Sequence, residues 1–206
     1  RDRPKSMVVI GGGVIGLEMG SVYARLGTEV HVVEYQDAII PTMDRAMGKE
    51  LMRSMKKLGV KFHLQHGVKE VKATAKQVTV KADDKKGKEV TWKADYCLVS
   101  VGRKPYTEGL NLEAAGLQTD DRGRIAVNDQ MQTVVGHIYA IGDVTDRVQL
   151  TPVAIEEGMC IANNLFTDNP KKRLNYQNIA TAVFCQPNIG TVGLTEAQAV
   201  AEHGGD

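Results

Sequence analysis

Val8-Val9-Ile10-Gly11-Gly12-Gly13-Val14-Ile15-Gly16 is the stretch on which the reading of this chain turns. A β-branched run leads straight into G-x-G-x-x-G. An apolar helical stretch follows, Leu17 to Leu26, and a second apolar run, Val30 to Val33, ends in Glu34. Alone, the glycine pattern says little. Set between a strand and a helix, with an acid closing the next strand, it marks a βαβ unit built to bind a dinucleotide.

Each position has a physical task. Gly11 permits the tight turn out of the strand, Gly13 carries no side chain to hold a pyrophosphate off the backbone, and Gly16 lets helix and strand approach closely. The helix N-terminus offers unpaired N–H groups and a partial positive charge to the phosphates. Glu34 can accept hydrogen bonds from both ribose hydroxyls of the adenosine half and repels a 2′-phosphate. No arginine follows in Tyr35-Gln36-Asp37-Ala38 to receive one. The expected ligand is NAD(H) rather than NADP(H). The plain alternative is a glycine-rich turn without a ligand and a glutamate that only caps a strand.

Composition bounds the rest. The chain has 206 residues, a net charge of +1 and ordinary apolar and charged fractions, so no broad field favours nucleic acid or an anionic membrane. The basic clusters Lys85-Lys86 and Lys171-Lys172-Arg173 read as solvated loops. No apolar run approaches the roughly 18 residues that cross a bilayer, and no signal peptide is visible. The opening Arg1-Asp2-Arg3-Pro4-Lys5 reads as a cut linker. Cys97, Cys160 and Cys185 form no short-spaced pair, which suggests reduced, buried thiols in a cytoplasmic protein.

Along the chain, the pattern predicts strands at Met7–Ile10, Glu29–Glu34 and Val60–Leu64, with helices over Gly13–Leu26 and from Pro41 to about Leu58. Met43, Met47, Met52 and Met55 read as helix packing. An antiparallel meander follows at Gly67–Ala73, Lys76–Ala82 and Glu89–Lys93, then a buried strand from Asp95 to Val101. Further on come a short helical turn at Leu110–Gly116, strands at Ile125–Val127 and within Thr133–Asp143, a helix at Ala154–Phe166, strands at Ala180–Cys185 and Gly190–Leu194, and a last helix opened by Thr195. His31, His63, His66 and His137 are scattered along strands and turns and read as structural, as does His203 near the end of the chain.

Thr133-Val134-Val135-Gly136-His137-Ile138-Tyr139-Ala140-Ile141-Gly142-Asp143 is the second signal. The glycine lets a ligand approach the backbone, and the carboxylate can accept from a sugar-like hydroxyl; a simple Gly-Asp turn is the alternative. Thr, six residues, then Ala-Ile-Gly-Asp resembles the flavin motif of flavoproteins with two dinucleotide-binding domains. Leu98-Val99-Ser100-Val101-Gly102-Arg103-Lys104-Pro105 resembles the segment by which their chain leaves the NAD domain. With Val8 to Glu18 and Glu34, the whole chain is similar to the pyridine nucleotide–disulfide oxidoreductases, most of all to their dihydrolipoamide dehydrogenase branch.

The resemblance implies an α/β chain: a Rossmann-like three-layer NAD-binding domain at 1–103, a second segment of an FAD-binding domain at 104–174, and the start of an α+β dimerisation domain at 175–206. It implies that Gly11, Gly12, Gly13, Val14, Ile15 and Gly16 hold the NAD pyrophosphate, that Glu34 holds the adenosine ribose, and that Val68 and Gly102 lie along the NAD cleft. Glu18 matches an acid near the flavin–nicotinamide contact, where relatives pair it with a lysine. Asp143 matches the residue that holds a ribityl hydroxyl of FAD, and Gln149, Leu150, Thr151 and Pro152 match the turn over the isoalloxazine.

Some departures matter. Leu150-Thr151-Pro152-Val153-Ala154 and the run from Ala182 to Glu196 look more like glutathione reductase, while the front half is lipoamide-type. This puts the disulfide substrate in question rather than the reaction class. No C-x-x-x-x-C, no earlier G-x-G-x-x-G and no terminal His-Glu pair is present. The chain therefore reads as an internal piece, inactive alone, of an enzyme that converts dihydrolipoamide and NAD+ to lipoamide and NADH. As a homodimer, that parent could join a 2-oxoacid dehydrogenase complex. The alternatives are a glutathione-reductase-like enzyme, a non-catalytic NAD-binding module, and a related flavin enzyme without redox cysteines.

Overall fold

Strand β1 (Ser6–Ile10) is covered on both faces, and the alternation of its side chains builds two cores at once. Met7 and Val9 join Val30 and Val32 of β2 (Glu29–Val33) in a cluster with Leu17 of α1 (Val14–Arg25) and Leu51 and Met55 of α2 (Arg45–Lys57). Val8, Ile10 and Val33 face the other way, onto Val80, Ala82, Trp92 and Ala94. Those residues belong to β5 (Val78–Asp83) and β6 (Glu89–Ala94), which with β4 (Gly67–Ala73) form an antiparallel meander. Strands β3 (Lys61–His63) and β7 (Tyr96–Val99) complete a parallel sheet of order β3-β2-β1-β7. A parallel sheet needs both faces covered, which is why β1 reads as an unbroken apolar run. Burying each such Val or Leu contributes about 1.5–3 kcal/mol.

The computed structural model describes residues 2–168 and 173–204; Lys171 and Lys172 of the second basic cluster lie outside them. It divides the chain into two compact units, Arg1–Gly102 with Ala180–Asp206, and Arg103–Ile179. The first is the three-layer α/β unit. Its late segment, read from the sequence as the opening of a separate domain, packs into it. A hairpin of β8 (Thr181–Val183) and β9 (Ile189–Thr191) places Val183, Cys185 and Ile189 in the helix-side core. Helix α4 (Glu196–His203) begins with a capping box between Thr195 and Gln198, and its first amide, Glu196 N–H, donates to Asp44 at 3.0 Å.

Asp44 also explains why α2 starts at Arg45 and not at Pro41. Its carboxylate accepts from the Ala46 amide at 2.7 Å and caps the helix there. Residues 40–43 instead form a turn, Met43 N–H to the Ile40 carbonyl at 3.0 Å, with Ile40 at φ +39°.

The second unit carries α3 (Thr151–Phe166), 3₁₀ turns at Leu112–Ala115 and Gly142–Val144, and buried side chains from Leu117, Ile125, Met131, Ala140 and Val153. The strands expected at Ile125–Val127 and within Thr133–Asp143 reduce to two isolated bridges, Thr119 with Ile125 and Gln132 with Tyr139. Thr133 is the reason in the second case. Its amide donates to the Ile138 carbonyl at 2.9 Å and its hydroxyl to the same oxygen at 2.9 Å, closing a tight loop that leaves Val134 86% exposed. Helix α3 starts at Thr151, three residues earlier than expected, because Pro152 suits a first helical turn that needs no donor.

Candidate functional site

The glycines of the first motif are required for two different reasons. Gly11 sits at φ +105°, and a Cβ there would lie 2.5 Å from the Ser100 carbonyl oxygen. A Cβ on Gly16 would lie 2.5 Å from Ser100 Oγ and 3.0 Å from Val9 Cγ1, and would overlap the Gly11 carbonyl. Both are dictated by the protein's own packing. Gly13 is not. Its backbone is ordinary and extended, φ −79° and ψ 178°, and a Cβ would meet nothing within 4 Å. Open space lies at that position, at the mouth of α1, whose N-cap offers no side-chain hydrogen bond and whose first turn has no acid. The leading amides of α1 are therefore free for an anion. Val14 and Ile15 are the first two residues of that turn.

Glu34 lies one residue beyond the end of β2, with its carboxylate turned back to the glycine loop. Oε2 accepts from the Gly12 amide at 2.5 Å and Oε1 from the Gln36 amide at 2.7 Å. One bond per oxygen fixes the carboxylate and leaves lone pairs for two hydroxyl donors. The Gly12 carbonyl is held as well, accepting from Ile40 N–H at 2.9 Å. Ser100, absent from the expected site, braces the loop from beneath: its hydroxyl and its amide donate to the Ile10 carbonyl at 2.8 and 2.9 Å. A serine at a strand end carries no signal in sequence, since its task exists only where β7 meets β1.

The remaining expected positions of this unit are more dispersed. Val68 is half-buried on β4 against the meander-side core, beside a bulge between Val68 and Glu70. Gly102 is exposed at φ +128° with open space around it. Glu18, on α1, accepts from the Phe184 amide at 2.7 Å; among the described residues its partner is thus a backbone donor and not a lysine.

The histidines are less scattered than the sequence suggests. His31 Nδ1 and His63 Nε2 lie 3.0 Å apart, His31 Nε2 meets Glu29 at 3.3 Å, and the rings of His63 and His66 pack against Trp92 at 4.9 and 5.8 Å. Burial, with the positive charges of His31, His66 and Lys61, pushes His63 down to about 4. The cluster adjoins Glu34, whose N–H donates to the His63 carbonyl and whose carbonyl accepts from the His66 N–H, each at 2.9 Å. All three cysteines are thiols, and burial raises Cys97 and pushes Cys185 up to about 11. Met43 and Met55 are buried in the core, Met52 packs against it, and Met47 is exposed.

In the second unit the turn at Gly142 is held on every side. Gly142 adopts φ +68°, and its Cβ position lies 3.1 Å from Ala154 Cβ. Its amide donates to Glu157 Oε2 at 2.8 Å, and its carbonyl accepts from the Thr145 hydroxyl and amide at 2.9 and 3.0 Å. Asp143 follows, half-buried, paired with Arg103. Glu157 is fully buried, and its other oxygen accepts from the Tyr176 hydroxyl at 2.8 Å. Burial and that bond push Tyr176 up to about 12, and the Arg147 guanidinium lies 4.9 Å from the Tyr176 ring centre. Gln149, Leu150, Thr151 and Pro152 form the approach to α3 and its first turn; Leu150 caps the helix without a side-chain bond. Neither Glu157 nor Tyr176 was legible from the sequence, where one is an acid within an expected helix and the other belongs to no motif.

The family model of the pyridine nucleotide-disulphide oxidoreductases matches residues 1–158. The chain is 42% identical over 196 residues to the mitochondrial dihydrolipoyl dehydrogenase of Pisum sativum, covering 95% of this chain and 39% of the relative. It is 42% identical over 199 residues to the dihydrolipoyl dehydrogenase of Cupriavidus necator, covering 97% and 42%. Among solved structures, the Cu(II) complex of the HOCl-induced flavoprotein disulfide reductase RclA from Escherichia coli superposes with a TM-score of 0.89 at 28% identity, over 98% of this chain and 45% of that one. The chain thus spans about two-fifths of the length of the curated relatives it matches. With the glycine loop, Glu34 and the Gly-Asp turn each in a structured setting, the chain belongs to the pyridine nucleotide-disulphide oxidoreductase family.

Proposed function

We propose that the chain carries the NAD site and part of the flavin site of an FAD-dependent, NAD-linked disulfide oxidoreductase acting on dihydrolipoamide. The observation that carries this reading is the glycine loop: space kept open at Gly13, directly before free helix amides, and next in the chain to Gly12, whose amide with that of Gln36 fixes the Glu34 carboxylate. The pyrophosphate rests on the amides from Gly13 to Gly16, the Gly12 amide being held by Glu34, and the adenosine ribose donates to Glu34. Val68 and Gly102 border the cleft, and Glu18 is the acid beside the nicotinamide.

Asp143 accepts from a hydroxyl of the flavin's sugar-like chain, and the approach to α3 at Gln149–Pro152 presents a helix N-terminus that favours negative charge on the flavin ring. FAD and NAD, when bound, supply the hydride chemistry; the chain's residues bind and orient them. The residues present suit both groups, because the donors and acceptors above match phosphate, ribose and polyol. Homodimerisation, recruitment to a 2-oxoacid dehydrogenase complex and a cytoplasmic setting belong to the same proposal. Among the described residues no helix is long and apolar enough to cross a membrane.

Titration of the chain with NADH and NADPH tests the cofactor. A fixed carboxylate close to a 2′-phosphate costs a few kcal/mol even at high effective dielectric, so NADH should bind about tenfold tighter or more. Glu34→Arg should reverse the order. Equal affinities in the unsubstituted chain would show that Glu34 does not read the ribose.

A further inference from the structure

Among the described residues Glu157 is the one buried acid, with no exposed surface, and nothing in the proposed binding of either cofactor uses it directly. Removing a carboxylate from water costs several kcal/mol unless its lone pairs are satisfied. Here both oxygens are bonded, one to the Gly142 amide and one to the Tyr176 hydroxyl, each at 2.8 Å. Both bonds are directed. The first fixes a peptide whose φ of +68° favours glycine and whose carbonyl is tied to Thr145. The second fixes the carboxylate itself, through a phenol packed beside Arg147. The backbone of the turn is thereby locked, and the next side chain, Asp143, is left accessible, with the exposed Arg103 its one ion-pair partner among the described residues. A lock beneath one accessible acceptor is what holding a polyol hydroxyl in register requires.

We propose that Glu157 is a positioning residue for flavin binding: from the buried side it sets the Gly142–Asp143 turn in the geometry that presents the Asp143 carboxylate to the ligand, with Tyr176 holding Glu157 in place. This rests on the flavin reading of Asp143. A glutamate kept only for folding would affect stability and leave the affinity of folded molecules unchanged.

The test is FAD titrated into the 206-residue chain, followed by flavin fluorescence quenching, for the unsubstituted protein, Glu157→Gln, Glu157→Leu and Tyr176→Phe. Amide hydrogen exchange at Gly142 and far-UV circular dichroism are recorded on each. Gln keeps an acceptor for Gly142 and should bind within about threefold of the unsubstituted chain, whereas Leu leaves that amide unpaired and should weaken binding about tenfold or more. Tyr176→Phe should fall between, with slower Gly142 exchange than the Leu variant. Faster Gly142 exchange in a folded Glu157→Leu variant whose FAD affinity is unchanged overturns the proposal, as does a Gln variant as weak as Leu. Failure of the unsubstituted chain to bind FAD overturns the flavin reading and this inference with it, and is told apart because it does not depend on residue 157.

Discussion

Replacing Gly13 and Gly16 in turn by alanine separates ligand space from packing space within one motif. At Gly16 the added methyl meets Ser100 Oγ at 2.5 Å and the Gly11 backbone. Alanine gains about 1 kcal/mol of intrinsic helix preference over glycine, but a clash against backbone cannot relax as a flexible side chain can. Overpacking of that kind costs about 1–3 kcal/mol, and the collision with a carbonyl puts it at the upper end. A net loss near 2 kcal/mol lowers the melting temperature of a domain this size by roughly 5–10 °C. At Gly13 the methyl meets nothing within 4 Å and the backbone angles suit alanine. The gain from a stiffer unfolded chain and the loss of a preferred N-cap are each a few tenths of a kcal/mol to about 1 and oppose one another, so stability should hold within about 0.5 kcal/mol. The methyl would instead enter the place we propose for the pyrophosphate, and NADH affinity should fall about tenfold to a hundredfold. Thermal melts read through Trp92, the single tryptophan of the chain, together with NADH titration, measure both effects. A Gly13→Ala protein that melts as early as Gly16→Ala, or that binds NADH as the unsubstituted chain does, refutes the reasoning.

Other outcomes follow from the same geometry. His63 is held at about 4, below its ordinary 6.5, so the unfolded chain binds the extra proton first as pH falls. Stability of the first unit should be complete above pH 6.5 and decline towards pH 4, by about 1–2 kcal/mol once solvent screening is allowed for; His63→Phe should flatten this part of a denaturant series across pH. Asp143→Asn removes a partly exposed ion pair with Arg103 and should change stability by less than about 1 kcal/mol while weakening FAD binding about tenfold, as read by flavin fluorescence. Thr195→Ala breaks the capping box of α4 and should cost about 1 kcal/mol, seen as faster amide exchange confined to Glu196–His203.

What could be read from residues alone was whatever depends on near neighbours in the chain. The strand, glycine loop, helix and closing acid lie within residues 6–34, and the alternating meander carries its own period and turns. Where pairing or packing partners are distant, the reading failed or was silent. Thr133–Asp143 has the apolar content of a strand, but among the described residues no neighbouring strand receives it, and Thr133 folds it into a loop. Helix α2 waits for Asp44 because a cap outweighs a proline as a start signal when its carboxylate finds an amide. Ser100 became a brace, Glu157 a buried lock, and His31, His63 and His66 a cluster on Trp92, only because the fold carries them together across tens of residues. Local sequence set the periodicities and the glycines that permit a dinucleotide loop; tertiary structure alone decided which polar groups would be buried, since burial is a property of surfaces that meet only after the chain has closed on itself.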